Sequence, residues 1–346
     1  MILVYGSFLA VIIIAAAIIE FYIINKANRK LFIRYDLPQF TRYLTCQDVS
    51  GYCHDTVHFQ SGKALLTGYL FNTTNSNGLI VIAHGLSGGS ETYLPQIMYF
   101  VDKGWSVFSY DCTGSFHSEG VSTVGLAQSV LDLESALRFI ENVPELSNLP
   151  IMLYGHSWGG YAVTAILNLK QNIKASVSLS GYNSPNEVLT YMLKKLTKGS
   201  WISIFAFISR PFIYIFHKVI FGRNATIAAI HGINTSNIPV MIIHGLKDNV
   251  IDIDGPSIIS KKRQITNQNI VYEVTKGGHF DVFRTKNASQ YMSTLDLEYT
   301  QLKSQYNGNI PYERQAEYYS KIDKKRYCEL DDKLMGRIHE FYIKNR

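Results

Sequence analysis

Short apolar runs alternate with longer amphipathic stretches along most of the chain. The short runs predict β-strands that are buried on both faces, over residues 79–85, 105–111, 150–156, 175–182, 239–245 and 269–275. The longer stretches carry apolar residues at helical spacing, most clearly over residues 126–143. This alternation predicts a mostly parallel sheet with helices on both faces, which is an α/β fold.

Two segments depart from the alternation. Residues 55–72 show approximate period-two patterning around a Ser-Gly turn and predict two strands ahead of the parallel ones. Residues 201–221 are rich in aromatic side chains, and we expect them to belong to a helical cap formed by residues 183–238. A second membrane span over this run is the alternative, but an Arg-Pro pair interrupts it. The predicted sheet domain is then built from residues 53–182 and 239–346.

The N-terminal residues form a long uncharged run. Residues 2–19 carry no charge, and roughly twenty apolar residues match the hydrocarbon thickness of a bilayer. Basic residues follow this run and do not precede it, which disfavours a signal peptide and, by the positive-inside rule, places the domain in the cytoplasm. We therefore predict a transmembrane anchor over residues 2–25 and a juxtamembrane linker over residues 26–52. The alternative is a helix that is buried in the core of the folded domain.

Composition narrows the classes of function. The chain has 346 residues and a net charge of +6 without a block of basic residues, so nucleic-acid binding is not expected. Its four cysteines do not form a disulfide scaffold, and they and the histidines do not show zinc-site spacing. Neither a metal nor a cofactor is predicted.

The stretch LYGHSWGGYAV contains the pattern G-x-S-x-G between a predicted strand and a predicted helix. In that context the serine sits on a turn so sharp that side chains at the flanking glycines would collide. Such a turn lifts the hydroxyl of Ser157 clear of the sheet and sets it at a helix N-terminus, which favours a developing anion. We predict that Ser157 is a nucleophile; a turn serine without a chemical role is the alternative.

A serine nucleophile needs a base, and the base needs a carboxylate that orients it. Among ten histidines, His279 follows the last predicted strand behind two glycines that let its loop bend. Asp248 follows the strand before it, with Asp252 and Asp254 as rivals whose ordinary role is capping. The resulting order, Ser157, Asp248, His279, is that of α/β-hydrolases. Three histidines near strand ends are not assigned as the base: His84, His156 and His244.

The stretch HGLSGGS over residues 84–90 follows an early strand, where the second amide of an oxyanion hole is expected. We predict that the backbone N–H groups of Leu86 and Trp158 form this hole and stabilise a tetrahedral intermediate.

From about residue 55 onward, the motifs HGLSGG, GHSWGG, PVMIIHGLKDNVI and GGHFD resemble those of α/β-hydrolases. The group that the chain resembles includes monoglyceride lipases, lysophospholipases and serine aminopeptidases of the S33 type. The resemblance implies the α/β-hydrolase fold and assigns Ser157 as nucleophile, Asp248 as acid and His279 as base. The segment DCTGSFHSEG departs from the pattern of the group, with Thr113 where arginine is usual and Phe116 where glycine is usual.

The expected function is a membrane-anchored serine hydrolase that cleaves an acyl ester, as a carboxylesterase or lysophospholipase does, through an acyl-enzyme. A small-molecule or lipid-like acyl substrate is expected because the cap is apolar and the chain is tethered to a bilayer. An S33-type peptidase is the second possibility, although Glu187 is the one carboxylate between residues 183 and 238 that could hold an α-amino group. A non-catalytic binding protein on the same fold is the third.

Overall fold

Eight strands form one sheet in the structure, a computed structural model. It describes residues 2–52, 54–74, 77–169, 172–197 and 202–346, and their side chains except those of residues 2–13, 16, 196–197 and 202–208. The strands are β1 (His54–Ser61), β2 (Ala64–Phe71), β3 (Leu79–Ala83), β4 (Ser106–Tyr110), β5 (Ile151–His156), β6 (Ile173–Leu179), β7 (Val240–Gly245) and β8 (Ile270–Thr275). Their order is β1-β2-β4-β3-β5-β6-β7-β8. Strands β1, β2 and β4 pair antiparallel in turn, and all other pairs are parallel, which confirms the predicted mostly parallel sheet.

Helices cover both faces of the sheet, so every residue of β3, β4, β5 and β7 is buried. This burial explains why these strands read as nearly continuous apolar runs. The helices of eight or more residues are α1 (Ile2–Leu31), α2 (Leu94–Asp102), α3 (Gln128–Glu141), α4 (Trp158–Ala165), α5 (Pro185–Thr197), α6 (Ile202–Phe221), α7 (Ala229–Ser236), α8 (Lys286–Gln305), α9 (Tyr312–Ser320) and α10 (Asp332–Asn345). Helices α3 and α4 contribute to the core on one face, and α2 and α10 to the core on the other.

The segment after β6, which we predicted to form a helical cap over residues 183–238, contains three helices of eight or more residues, α5, α6 and α7. Helices α5 and α6 contact each other, but α7 packs on α4 and the turn that follows it. Ala229 and Ile233 of α7 are fully buried in the main core. A Cβ on Gly232 would lie 2.7 Å from the carbonyl O of Thr164, so this glycine permits the close approach of α7. Helix α7 therefore packs with the sheet domain, whereas α5 contributes Val188 and Met192 to the cavity above the sheet.

The N-terminal helix continues past the predicted end of the anchor, from Ile2 to Leu31. Most side chains of the predicted span, residues 2–25, lie outside the described residues. Within the parts of the chain that the structure describes, no helix is both long enough and apolar enough to cross a bilayer. The predicted transmembrane helix is thus not found among the described residues.

The predicted linker, residues 26–52, packs on the sheet domain. After α1, residues 32–46 form a segment that we call the strap. Phe32 and Leu44 of the strap are buried in the two faces of the core. The N–H of Tyr35 donates to the carbonyl of Gly114 at 2.9 Å, which joins the strap to the loop after β4. The strap is therefore an integral part of the folded domain.

Arg34 fastens the strap to the same loop. Its guanidinium donates to three carbonyl oxygens, those of Phe116 at 2.7 Å, Ser118 at 2.9 Å and Gly120 at 2.8 Å. These carbonyls belong to the DCTGSFHSEG segment, where the related motif has an arginine and this chain has Thr113. An arginine from a distant part of the sequence thus ties this loop together.

Candidate active site

Ser157 lies on the turn between β5 and α4, with φ of +56° and ψ of −111°. A positive φ is rare for a residue with a side chain and is strained. Glycine is required on both sides because a Cβ on Gly155 would lie 2.3 Å from the carbonyl O of Gly159. A Cβ on Gly159 would lie 1.9 Å from the carbonyl O of Ala83. The turn is the strand–elbow–helix geometry that the G-x-S-x-G pattern predicts.

The structure brings the three predicted side chains into one hydrogen-bonded row. The Nε2 atom of His279 lies 2.8 Å from Oγ of Ser157, and its Nδ1 atom lies 2.8 Å from Oδ2 of Asp248. His279 and Asp248 are both buried, whereas Ser157 reaches the cavity above the sheet. In this arrangement the imidazole can take the proton of the serine hydroxyl while the carboxylate fixes its tautomer.

Asp248 is held by more than the imidazole of His279. Its Oδ1 accepts from the N–H groups of Val250 at 3.0 Å and Ile251 at 2.8 Å. Nε2 of His244 lies 2.8 Å from the carbonyl O of Ile251, so this nitrogen carries a proton. The same Nε2 lies 3.3 Å from Oδ2 of Asp248. Burial by itself would raise the pKa of Asp248, but the hydrogen bonds from His244 and His279 outweigh it and hold that pKa well below its usual range. The carboxylate therefore stays ionised.

The rival carboxylates lie elsewhere. Asp252 accepts a hydrogen bond from the hydroxyl of Tyr191 at 2.7 Å and from the N–H of Asp254 at 3.0 Å. Among the described contacts, neither carboxylate pairs with His279. Asp281 instead holds the loop that carries His279, because its Oδ1 accepts from the N–H of Gly278 at 2.6 Å.

Both predicted oxyanion donors line the same cavity as Ser157. Trp158 is the first residue of α4, so its N–H has no acceptor within the helix. Among the hydrogen bonds of the described chain, no acceptor is assigned to the N–H of Leu86 or of Trp158. The indole N–H of Trp158 is engaged separately, with the carbonyl of Leu126 at 2.8 Å. Two backbone donors are thus available beside the nucleophile.

His84 lies beneath the loop that carries Leu86. Its Nδ1 is 2.7 Å from the carbonyl O of Gly85, and its Nε2 accepts from the N–H of Cys112 at 2.8 Å. These partners assign the proton to Nδ1. Burial lowers the pKa of His84, which is consistent with a neutral ring that holds the loop.

A second buried histidine connects the base to the same loop. Nε2 of His156 lies 2.7 Å from the carbonyl O of His279, and its Nδ1 lies 2.7 Å from the hydroxyl of Tyr93. That hydroxyl in turn accepts from the N–H of Gly85 at 3.0 Å. Burial lowers the pKa of His156 to about 3, so the ring is neutral and Nε2 donates. Sequence reasoning missed this link, since nothing local shows that Tyr93 approaches His156.

The cavity above Ser157 has a volume of about 560 Å³. Part of its wall comes from the end of β6, from α5 and from the loops near 126 and 250, and it is apolar: Leu126, Tyr182, Val188, Met192, Val250 and Ile251. The part contributed by the strap and by the chain after His279 is more polar: Tyr35, Tyr43, Arg284, Met292, Asp296 and Tyr327. The cavity can therefore hold a molecule that has one apolar end and one polar end.

Parts of the chain resemble known proteins. A model of the family described as "Serine aminopeptidase, S33" matches residues 74–204, which include Ser157 but neither Asp248 nor His279. The polyketide transferase af380 of Aspergillus fumigatus is 29% identical over 119 residues, which are 34% of this chain and 41% of that protein. The uncharacterized protein YfhR of Salmonella typhi is 22% identical over 229 residues, 64% of this chain and 70% of that protein. The chain thus spans less than half of the first of these relatives.

Among solved structures, the esterase Pf2001 of Pyrococcus furiosus superimposes with a TM-score of 0.54 at 17% identity. The match covers 79% of this chain and 98% of the esterase. At this identity the likeness concerns the fold. The fold is that of α/β-hydrolases, and the Ser–His–Asp row has the hydrogen-bond geometry of a serine hydrolase site. The chain thus has the α/β-hydrolase fold, and its residues 74–204 resemble the S33 family.

Proposed function

We propose that the protein hydrolyses a carboxylic ester through an acyl-enzyme. Ser157 attacks the acyl carbonyl, His279 accepts its proton and later donates it to the leaving alcohol, and Asp248 orients the imidazole. The amides of Leu86 and Trp158 stabilise the oxyanion. The observation that carries the proposal is the 2.8 Å contact between Oγ of Ser157 and Nε2 of His279 on a strained turn.

The cavity supports an ester rather than a peptide with a free α-amino group. An aminopeptidase needs a carboxylate that faces the substrate amine. Glu187, the carboxylate of the cap region, lies 3.1 Å from Nζ of Lys261 and does not line the cavity. Asp296 does line it, but its Oδ1 is 2.6 Å from the guanidinium of Arg42.

A fluorophosphonate probe tests the nucleophile. We expect the probe to label the native protein and a Ser135→Ala variant, whose altered serine lies on α3 outside the cavity. The Ser157→Ala variant should not be labelled. Absence of labelling in the native protein would instead favour a non-catalytic binding protein.

The reaction class is tested by comparing acyl esters of increasing chain length with aminoacyl amides. We expect turnover of the esters to exceed that of the amides, with Ser157→Ala as the blank for each substrate. Faster turnover of the amides would point to the peptidase that the matching family model describes.

We further propose that residues 2–25 attach the protein to a membrane and leave the domain on the cytoplasmic side. The uncharged run and the basic residues that follow it support this proposal. In sealed membranes, protease added outside should spare the domain. Its digestion there would reverse the orientation, and release of the full chain by alkaline washing would exclude the anchor.

A further inference from the structure

We propose that the cavity contains a subsite for an anionic group on the alcohol portion of the ester, formed by Arg284 and Tyr43. The inference rests on the proposed ester hydrolysis and specifies the class of substrate. A carboxylate and a phosphate both fit the planar fork of a guanidinium, and the experiment below separates them.

Arg284 is a half-buried cation in the cavity wall. Its Nη1 donates to the carbonyl of Tyr327, and its guanidinium lies over the rings of Phe283 and Tyr327, 5.5 and 4.6 Å from their centroids. Among the ion pairs of the described chain, none includes Arg284. A partly desolvated cation without a counter-ion is unfavourable until an anion reaches it.

The other charge of the cavity wall is already compensated. Asp296 is paired with Arg42 at 2.6 Å, and Arg42 lies over the rings of Tyr299 and Tyr318. Lining residues of the cavity therefore leave one uncompensated charge, the positive charge of Arg284. An anionic substrate group would neutralise it.

Tyr43 adds a hydrogen-bond donor to the same part of the wall. Its hydroxyl is buried and has no partner among the described residues. The next residue, Leu44, donates its N–H to Sγ of Cys328, which follows Tyr327, the residue that contacts Arg284. Burial raises the pKa of Tyr43, and Glu91 raises it further, so the hydroxyl keeps its proton and can donate it to an anion.

The position of Arg284 indicates which portion of the ester carries the anion. The base donates its proton to the leaving alcohol, so the alcohol portion lies on the side of His279. Nε of Arg284 donates to the carbonyl of Phe280, the residue after His279, at 3.3 Å. The acyl chain then takes the apolar wall near Val188 and Met192.

The test uses octanoate esters of phenols that carry one further group at the meta or para position. That group is a carboxylate or a phosphonate in the anionic esters and a methyl ester in the neutral one. Rates are corrected for the hydroxide-catalysed hydrolysis of each ester. We expect kcat/KM of the native protein to be at least about 10-fold higher for one of the anionic esters than for the neutral ester. The preferred anionic ester then shows whether the subsite binds a carboxylate or a phosphate-like group. Arg284→Gln should lower that value about 10- to 100-fold, as expected for hydrogen bonds to a charged group, and change the neutral ester less than about 3-fold.

Matched variants separate recognition from folding. Arg284→Lys should keep part of the preference because it keeps the charge, and Tyr43→Phe should reduce it by removing one oxygen atom. Arg263→Gln, which removes an exposed cation outside the cavity, should leave all the rates unchanged. An equal loss of charged and neutral turnover in both Arg284→Gln and Tyr43→Phe would show a structural role and overturn the proposal. So would a native protein that prefers the neutral ester. Failure to turn over any ester, without labelling of Ser157, would instead overturn the proposed function.

Discussion

At the residue scale, the hydroxyl of Tyr93 connects the loop that carries Leu86 to the backbone of His279 through the ring of His156. Replacement of Tyr93 by Phe leaves the N–H of Gly85 and Nδ1 of His156 buried without partners. We expect Tyr93→Phe to lower the free energy of unfolding by about 1–3 kcal/mol, the usual cost of such groups. Turnover should fall about 10-fold with little change in KM, because the link positions the donors and the base rather than the substrate.

Urea unfolding and ester kinetics measure both effects. Tyr99→Phe is the matched control, since Tyr99 lies on the adjacent helix with its ring partly exposed. Unchanged turnover in Tyr93→Phe, with the stability loss present, would show that this link supports the fold alone.

The sequence predicted which residues meet at the nucleophile but not what supports them. Ser157, Asp248 and His279 each follow a strand of a parallel sheet, and such residues converge at one edge of the sheet. Tyr93 and His156 act through contacts that depend on how helices and loops pack on the sheet. No local pattern encodes such contacts, so these roles required the structure.

At the scale of single elements, α6 carries His217 as a buried polar residue. The side chain is 4% exposed, and its Nδ1 has no partner among the described residues. Burial lowers the pKa of His217 from 6.5 to about 4, so the folded protein keeps the ring neutral where the unfolded chain binds a proton. Stability therefore falls as the pH falls from about 6.5 to about 4, by at most about 1.4 kcal/mol per pH unit.

His217→Leu should remove this dependence together with the unpaired nitrogen. We expect the variant to be more stable than the native protein, with a larger advantage at pH 5 than at pH 7.5. Urea unfolding at the two pH values measures the difference, and an advantage that does not change with pH would contradict the assigned burial. His231→Leu is the control because His231 lies exposed on α7.

Helix α7 shows a limit of pattern-based prediction for elements. Its apolar residues lie on one face of the helix, and Ala229 and Ile233 on that face are buried in the core. The pattern does not specify whether that face covers a cavity or packs on another helix. Gly232 permits the close approach to Thr164 by which α7 packs on α4. The two residues are far apart in the sequence, so this contact is seen only in the structure.

At the scale of the whole molecule, Arg34 joins the strap to the loop after β4. Arg34→Met removes the donor to three carbonyl groups, so we expect the free energy of unfolding to fall by about 1–3 kcal/mol. Arg34→Lys should recover little of it, because an ammonium group lacks the planar fork that reaches several acceptors.

Thermal unfolding of both variants measures this effect. Arg223→Met is the control, because it changes an exposed cation near the end of α6. Full recovery by lysine would show that the charge matters and the geometry of the guanidinium does not. The prediction of residues 26–52 as a linker could not anticipate this role, because the segment contains few apolar residues at regular spacing.

The strap also limits how early during synthesis the cavity can close, because its partners lie far along the chain. The N–H of Leu44 reaches Sγ of Cys328, 284 residues later in the chain, and Tyr342 donates to the carbonyl of Leu153. The part of the wall that holds Tyr35 and Tyr43 is synthesised before the turn at Ser157, yet it meets Tyr327 only after the chain around Cys328 has been made. Nascent chains of this protein therefore carry the turn at Ser157 before the residues that complete the cavity wall, such as Tyr327, have been synthesised.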